Sequence, residues 1–377
     1  MVLLLTDVVL TVTGFQLTLL AAVLLKQKSI NRLNRNLLVA FLLSKTFLIL
    51  RWFLFRFGIL IEQNPKYIYY ITCAGFFLLA PLLYLYIKSL CYKDFVLKKT
   101  DIFHLIPCLS FIIFAIISVR IQFSITGDEP TVLYKIISNH FWDIFWSVNF
   151  VQILFYIIAM LKTVYIYQTK LKNLYSSLER INLNWLVSLL TVIFLHWLFT
   201  VSRATLSILD IKVVDLLGIL DLFSITIFLV FTTILVFKGL NQLKIFTGIE
   251  EKLKYAGLKL SEDEAQQYIG KLTHYMKTNK PYLEPSLTIN DLSEQLSIPS
   301  WRLSQVINDS LEQNFFKFVN NYRVEEVKNI FQDPLNNNKT ILQILYEAGF
   351  NSKSTFNNVF KKSTGMTPHE FKRLYQN

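Results

Sequence analysis

Ile344-Leu345-Tyr346-Glu347-Ala348-Gly349-Phe350, followed by Ser352, Ser354, Phe356, Phe360-Lys361-Lys362, Gly365 and Thr367-Pro368, places apolar residues at helical spacing on both sides of a glycine. Ile341, Ile344 and Leu345 begin one helix, and Gly349 supplies the backbone freedom of a tight turn. Ser352 is placed to cap a second helix that runs to Thr364, since its hydroxyl can accept from an otherwise unpaired amide. That second helix buries Phe356, Val359 and Phe360 and leaves Lys353, Ser354, Asn357, Asn358 and Lys361 outside. Thr367, Pro368 and Glu370 then form a further capped start.

Upstream, the same pattern occurs once more. Thr288 with Asp291 forms a capping box ahead of Leu292 and Leu296, and residues 297–300 make a turn. The next helix buries Leu303, Val306 and Ile307, with Trp301, Arg302, Ser304, Gln305 and Asn308 turned outward. A helix that is apolar on one side and hydrogen-bonding on the other suits the major groove, where base edges present donor and acceptor patterns. Between the copies, residues 315–331 read as one long helix with Phe316, Val319, Val324 and Val327 as contacts. A stiff connector of this kind holds two recognition helices about one DNA turn, roughly 34 Å, apart. Ser261 with Glu264 opens a further helix whose face is Ala265, Ile269, Leu272 and Met276.

Everything before about residue 238 has a different character. The chain of 377 residues is 53% hydrophobic and only 17% charged, and the apolar excess lies in its first part, so a wholly water-soluble globule is excluded. Seven runs, 8–25, 37–55, 67–87, 102–121, 136–161, 183–205 and 216–237, approach the roughly 20 apolar residues that a helix needs to cross a bilayer. Helices are expected because lipid offers no partner to an unpaired backbone donor. Lys26, Lys28, Arg32 and Arg35, then Lys88, Lys93, Lys98 and Lys99, then Lys162, Lys170, Lys172 and Arg180 fall in alternate loops; the other loops hold Arg56, Lys66, Lys135 and Lys212. Basic loops stay cytoplasmic, so the bias of roughly twelve to four puts the amino terminus outside, and an odd span count delivers the tail to the cytoplasm.

The net charge of +12 resides mainly in those loops and does not by itself argue for DNA. Lys45, Arg51, Asp143, His196, Arg203 and Asp221 fall inside the apolar runs, where an ionisable group costs about 2.5–3.5 kcal/mol and therefore turns to a bundle interior or a polar cavity. Arg203 and Asp221 lie at similar depths in consecutive antiparallel runs and are paired on that ground. These six residues are read either as a sensing pocket or as a structural polar cluster. Trp142 and Trp146 read as interfacial aromatics, and Cys73, Cys91 and Cys108 as packing residues without metal spacing. Catalytic residues, a resident metal and a cofactor are not expected, because His104, His140 and His196 are scattered and no activated nucleophile or glycine-rich phosphate loop is present.

The spacing of the carboxyl-terminal motifs resembles the DNA-binding half of the AraC/XylS transcription regulators over residues 263–374. Together with the seven apolar runs, the resemblance leads to an expected all-α fold: a seven-helix transmembrane bundle (1–237), a linker (238–262) and, as the resemblance implies, an AraC-type double helix-turn-helix DNA-binding domain (263–377). It also implies that Trp301, Ser304 and Gln305 in the first unit, and Lys353, Ser354, Asn357 and Asn358 in the second, face DNA. Arg323 lies where the family pattern has an arginine on its connecting helix. Two departures stand out. Leu345 replaces a small residue, and Asn314 stands where glycine is common, a change tolerated if asparagine adopts the left-handed conformation. The expected protein is thus a one-component regulator of the bacterial inner membrane. Its partners are double-stranded DNA, the lipid bilayer, an unknown small-molecule or membrane stimulus and, in a paired form, a second copy as a homodimer. A transporter or channel with a regulatory tail is the alternative, and it lacks a convincing inverted repeat.

Overall fold

The structure is a computed structural model that describes residues 2–27, 31–57, 72–124, 132–178, 184–209, 214–242 and 260–375. Among the described residues it is helical without strands, and an isolated antiparallel bridge joins Tyr175 to Thr288. The chain divides into two compact units. One comprises Met1–Tyr165 with Leu183–Glu251, and the other Ile166–Asn182 with Lys252–Asn377.

The first unit contains α1 (Val2–Lys26), α2 (Arg32–Arg56), α3 (Phe76–Cys91), α4 (Ile106–Ser124), most of α5 (Val132–Leu174), α6 (Asn184–Ile208) and α7 (Val214–Gln242). Among the described residues, six stretches are long and apolar enough to cross a membrane, and α3 is a shorter apolar helix. The run expected at 67–87 begins outside the described residues, and the fourth opens in a 3-10 turn, Lys99–Leu105. The fifth is longer than its apolar composition suggests, because α5 is an unbroken helix of 43 residues that runs on past Lys162, Lys170 and Lys172 to Leu174. The linker expected at 238–262 lies mostly outside the described residues, with α7 reaching Gln242 and the next described residue being Leu260.

Helix α1 packs on α2 and α7, α2 on α3, and α6 on α7. Two side chains close the set. Gln152 of α5 donates to the Phe77 carbonyl at 3.1 Å, and Trp197 of α6 donates to the Phe150 carbonyl of α5 at 3.1 Å. Phe77, Phe111 and Phe145 interlock at ring distances of 4.7 to 5.5 Å, with Trp142 and Trp146 packed around them. Threonines inside these helices return their hydroxyls to the carbonyl four residues earlier, as Thr13 does to Val9 and Thr163 to Ala159, so the hydroxyl proton needs no water. Cys73, Cys91 and Cys108 are buried and unlinked. The faces turned away from neighbouring helices are apolar: Phe15 is 71%, Val151 69% and Phe155 67% exposed.

The second unit contains α8 (Glu262–Asn279), α9 (Ile289–Leu296), α10 (Ser300–Gln305), α11 (Phe315–Gln332), α12 (Ile341–Glu347), α13 (Lys353–Thr364) and α14 (Pro368–Tyr375). Its core is in two parts. Leu272, Met276, Ile289, Leu292, Leu303 and Ile307 surround Phe315, Phe318 and Val319 from the first half of α11. Ile344, Leu345, Phe350, Phe356 and Phe360 surround Val324, Val327 and Phe331 from its second half. One helix thus supplies a wall to each core, which fixes the two motifs to a common rod.

Candidate nucleic-acid interface

Local sequence sets each helix start. Ser261 and Glu264, and likewise Thr288 and Asp291, form reciprocal capping boxes in which the hydroxyl accepts from the third amide and the carboxylate accepts from the cap's own amide. Thr340 and Gln343 form a third box at α12, a threonine-x-x-glutamine signal that the sequence also carries. Ser352 caps α13 by accepting from the Thr355 amide at 3.3 Å, and Gly365 ends that helix in the left-handed conformation. Glu370 accepts from the Thr367 amide at 2.7 Å, which keeps its carboxyl below the ordinary range.

Two expectations for the connector need correction. Asn314 is extended (φ −87°, ψ 161°) and caps α11, accepting from the Lys317 amide at 2.9 Å; the left-handed residue is Glu312 (φ 52°). The amide side chain therefore serves as an acceptor, and its tolerance of the left-handed region is not used. Phe315, rather than Phe316, enters the core, where it shares a face with Phe318 and Val319; Phe316 is half-buried, while Val319, Val324 and Val327 are buried as expected. Leu345 is fully buried among Val324, Val327 and Phe356, so the larger residue is absorbed by the second core.

The second recognition helix is a regular helix of 12 residues in which Lys353, Ser354, Asn357, Asn358 and Lys361 are all exposed. The first is built differently. Helix α10 has six residues, no side-chain cap at Pro299, and passes into a turn of π-helix over Val306–Ser310. Trp301, Arg302, Ser304, Gln305 and Asn308 are half-buried here rather than fully outward. The Arg302 guanidinium stacks at 4.2 Å on the Trp301 ring, and its Nη1 is buried with no hydrogen-bond partner among the described residues. Asn308 donates to Ser304 Oγ at 3.1 Å, while Gln305 sits at the junction of the two helix types.

The turns differ too. In the first helix-turn-helix motif Ser297 takes the left-handed conformation (φ 51°), and in the second motif Gly349 does so (φ 83°). A Cβ at Gly349 would lie 2.8 Å from both Cα and O of Leu283 and would overlap the Tyr282 carbonyl, so the two motifs meet backbone to backbone at this turn. Arg323, 1% exposed at mid-connector, tightens the seam by donating to the Tyr282 and Glu284 carbonyls at 2.7 Å each. Burial lowers its pKa to about 10, which still leaves it charged at neutral pH. The Glu284 carboxyl, held below its ordinary value by the Ser286 hydroxyl and amide, remains ionised nearby.

In the first of the two compact units, the six ionisable candidates of the apolar runs separate into groups. Lys45 Nζ lies 4.2 Å over the Phe228 ring, which also meets the His196 ring at 5.3 Å; His196 Nδ1 is 2.8 Å from Ser224 Oγ. Arg203 and Asp221 pair at 3.0 Å. Arg51 sits elsewhere, donating to Thr72 Oγ1 at 3.0 Å and to Cys73 Sγ at 2.8 Å. Asp143 is half-buried on α5. No cluster of three or more metal-ligating side chains occurs among the described residues.

A family described as a helix-turn-helix domain matches residues 292–374. The melibiose operon regulatory proteins of Escherichia coli strain K12 and of Escherichia coli O6:H1 are each 27% identical to this chain over 112 residues, covering 30% of it and 35% of the relative. The chain therefore spans about a third of the length of these curated relatives. No solved structure matches. With two helix-turn-helix motifs on one connecting helix and a family match across both, the carboxyl-terminal part of this chain is a helix-turn-helix domain of the AraC/XylS type, carried on a chain whose preceding part is a set of apolar helices.

Proposed function

We propose that the protein is a membrane-anchored, one-component transcription regulator that binds double-stranded DNA sequence-specifically and has no enzymatic activity. The observation that carries this reading is the pair of recognition helices mounted on α11, one of them presenting five exposed polar or basic side chains. Trp301, Arg302, Ser304, Gln305 and Asn308, with Lys353, Ser354, Asn357, Asn358 and Lys361, are the proposed DNA-facing residues. Lysines such as Lys361 engage phosphates, while amides such as Gln305 and Asn358 read base edges.

The apolar outer faces of α1 and α5 support a bilayer as their solvent, since exposing such surface to water is unfavourable by roughly 25 cal/mol per Å². On this reading residues 1–237 are the membrane domain, 238–262 the linker and 263–377 the DNA-binding domain. The amino terminus lies outside and the carboxyl domain faces the cytoplasm of a bacterial inner membrane. The group formed by Lys45, His196 and Ser224, together with the Arg203–Asp221 pair, is where a small-molecule or membrane stimulus acts, and tethering favours pairing of tails into a homodimer.

Selection of duplexes from a random pool by the full chain in lipid nanodiscs tests this. A defined sequence should emerge, and Gln305→Ala should relax preference at particular base pairs, costing about 1–3 kcal/mol there. Lys361→Ala should weaken binding to all sequences and flatten its salt dependence. Equal losses on selected and random duplex for both variants contradict the reading, as does a reporter fused after Asn377 that is active only on the outer face.

A further inference from the structure

The second unit includes a stretch from far upstream. Residues 166–178, the end of α5 and the four described residues after it, group with it although they belong in sequence to the first part of the chain. After Leu174 ends α5, Tyr175 bridges to Thr288 and the Ser176 amide donates to the Leu287 carbonyl at 3.2 Å. Ser176 is 1% exposed, and its hydroxyl also donates to the Leu287 carbonyl, at 2.6 Å. The Ser176 carbonyl accepts from Asn320 Nδ2 at 3.2 Å and from Arg323 Nη1 at 3.4 Å, while its Oγ accepts from Arg323 Nη2 at 3.2 Å. Ser177 donates to Asn351 Oδ1 at 3.0 Å, and Leu174 packs against the first core.

This stretch is a built part of the domain. A buried guanidinium needs acceptors for its donors, and Ser176 supplies two of those that saturate Arg323. Three consecutive residues, Tyr175, Ser176 and Ser177, reach all three parts of the DNA-binding apparatus. Thr288 is the cap of the first motif, Asn320 and Arg323 lie on the connector, and Asn351 adjoins Ser352, the cap of the second recognition helix. With the stretch seated, Lys353, Ser354, Asn357 and Asn358 remain exposed, so the seated arrangement leaves the second recognition face open to DNA.

We propose that residues 174–177 are a docking element for the DNA-binding domain: seated on Arg323, they hold the two helix-turn-helix motifs in the relative setting that DNA requires, and withdrawal through movement of α5 releases it. This rests on the function proposed above and adds a route for its control besides the covalent one through α7. A helix that is continuous from residue 132 to the docking site can carry a displacement along its length, and the bistable element it biases is the seam between the motifs.

The test uses the full chain in nanodiscs and the duplex that it selects. Ser176→Leu removes the hydroxyl and overfills an enclosed site. It should raise hydrogen exchange in residues 282–288 and weaken binding of the two-site duplex about ten-fold, leaving a single half-site unaffected. Unchanged exchange or unchanged two-site affinity overturns the proposal. Should that variant fail to fold, Ser177→Cys with Asn351→Cys and a short bismaleimide decides instead. The link should form in the intact chain, with two-site affinity retained. Failure to link, or a linked chain that has lost two-site binding, overturns it. If the unmodified chain selects no duplex, the proposed function falls and the regulatory claim with it, while exchange and cross-linking still judge whether the stretch is seated.

Discussion

The two helix-turn-helix motifs share a connector and a pattern of buried positions but are secured by different means. The second is specified locally: a glycine at its turn, a serine cap, a regular helix and a left-handed glycine at its end. The first turns on a serine held at φ 51°, starts its recognition helix without a side-chain cap and widens into a π turn after six residues. Left-handed backbone at a residue with a Cβ costs roughly 1–2 kcal/mol, and an uncapped helix end forgoes about 1 kcal/mol. Two copies of one motif thus differ in what holds them. The second relies on its own sequence, and the first leans on the core around Phe315 and Phe318 and on its neighbours. π turns of this kind recur at functional sites, and here one falls among the residues proposed to read DNA.

Three substitutions probe that contrast. The largest effect is expected at Gly349, where a side chain meets the backbone of residues 282 and 283 as well as an unfavourable φ. Gly349→Ala should destabilise the second unit by about 2–4 kcal/mol, seen as lost exchange protection at Phe350 and Phe356, and it should also part the motifs. Protection equal to that of the unmodified chain would mean that the seam is looser than described. Next, Ser352→Ala should cost about 1 kcal/mol and fray the start of α13, the end that presents Lys353 and Ser354, as monitored by exchange of the Thr355 amide. The smallest change runs in the opposite direction. Ser297 is exposed, so Ser297→Gly relieves the strained turn and should stabilise the first motif by about 0.5 kcal/mol in local unfolding. If it destabilises, the hydroxyl has a role beyond backbone geometry and the contrast between the turns narrows.

Features coded within a few residues were legible in the sequence. The capping boxes at Ser261 and Thr288, the cap at Ser352 and the turn at Gly349 lie where local spacing puts them, and the Arg203–Asp221 pair lies where matching depth in consecutive antiparallel helices puts it. The errors have equally local causes. Asn314 stands at a position where glycine is common but caps α11 with its side chain, and Phe315 and Phe316 both lie at helical spacing from Val319, so periodicity alone does not choose between them. The π turn leaves no mark in periodicity, since Leu303, Val306 and Ile307 fit an ordinary helix equally well. Ser176 was invisible for a different reason. A serine in a polar loop looks solvated, and its significance comes entirely from an arginine 147 residues away.

That separation bears on how the molecule is made. The ribosome releases Ser176 long before Arg323, so the loop waits without its partner until the last part of the chain has been synthesised, and contacts closing so large a loop form late in folding. A tail expressed by itself would fold, if at all, around a guanidinium facing water where a serine belongs. The compact unit that carries the helix-turn-helix motifs is therefore discontinuous in the gene, and deleting everything upstream of residue 260 removes a piece of it.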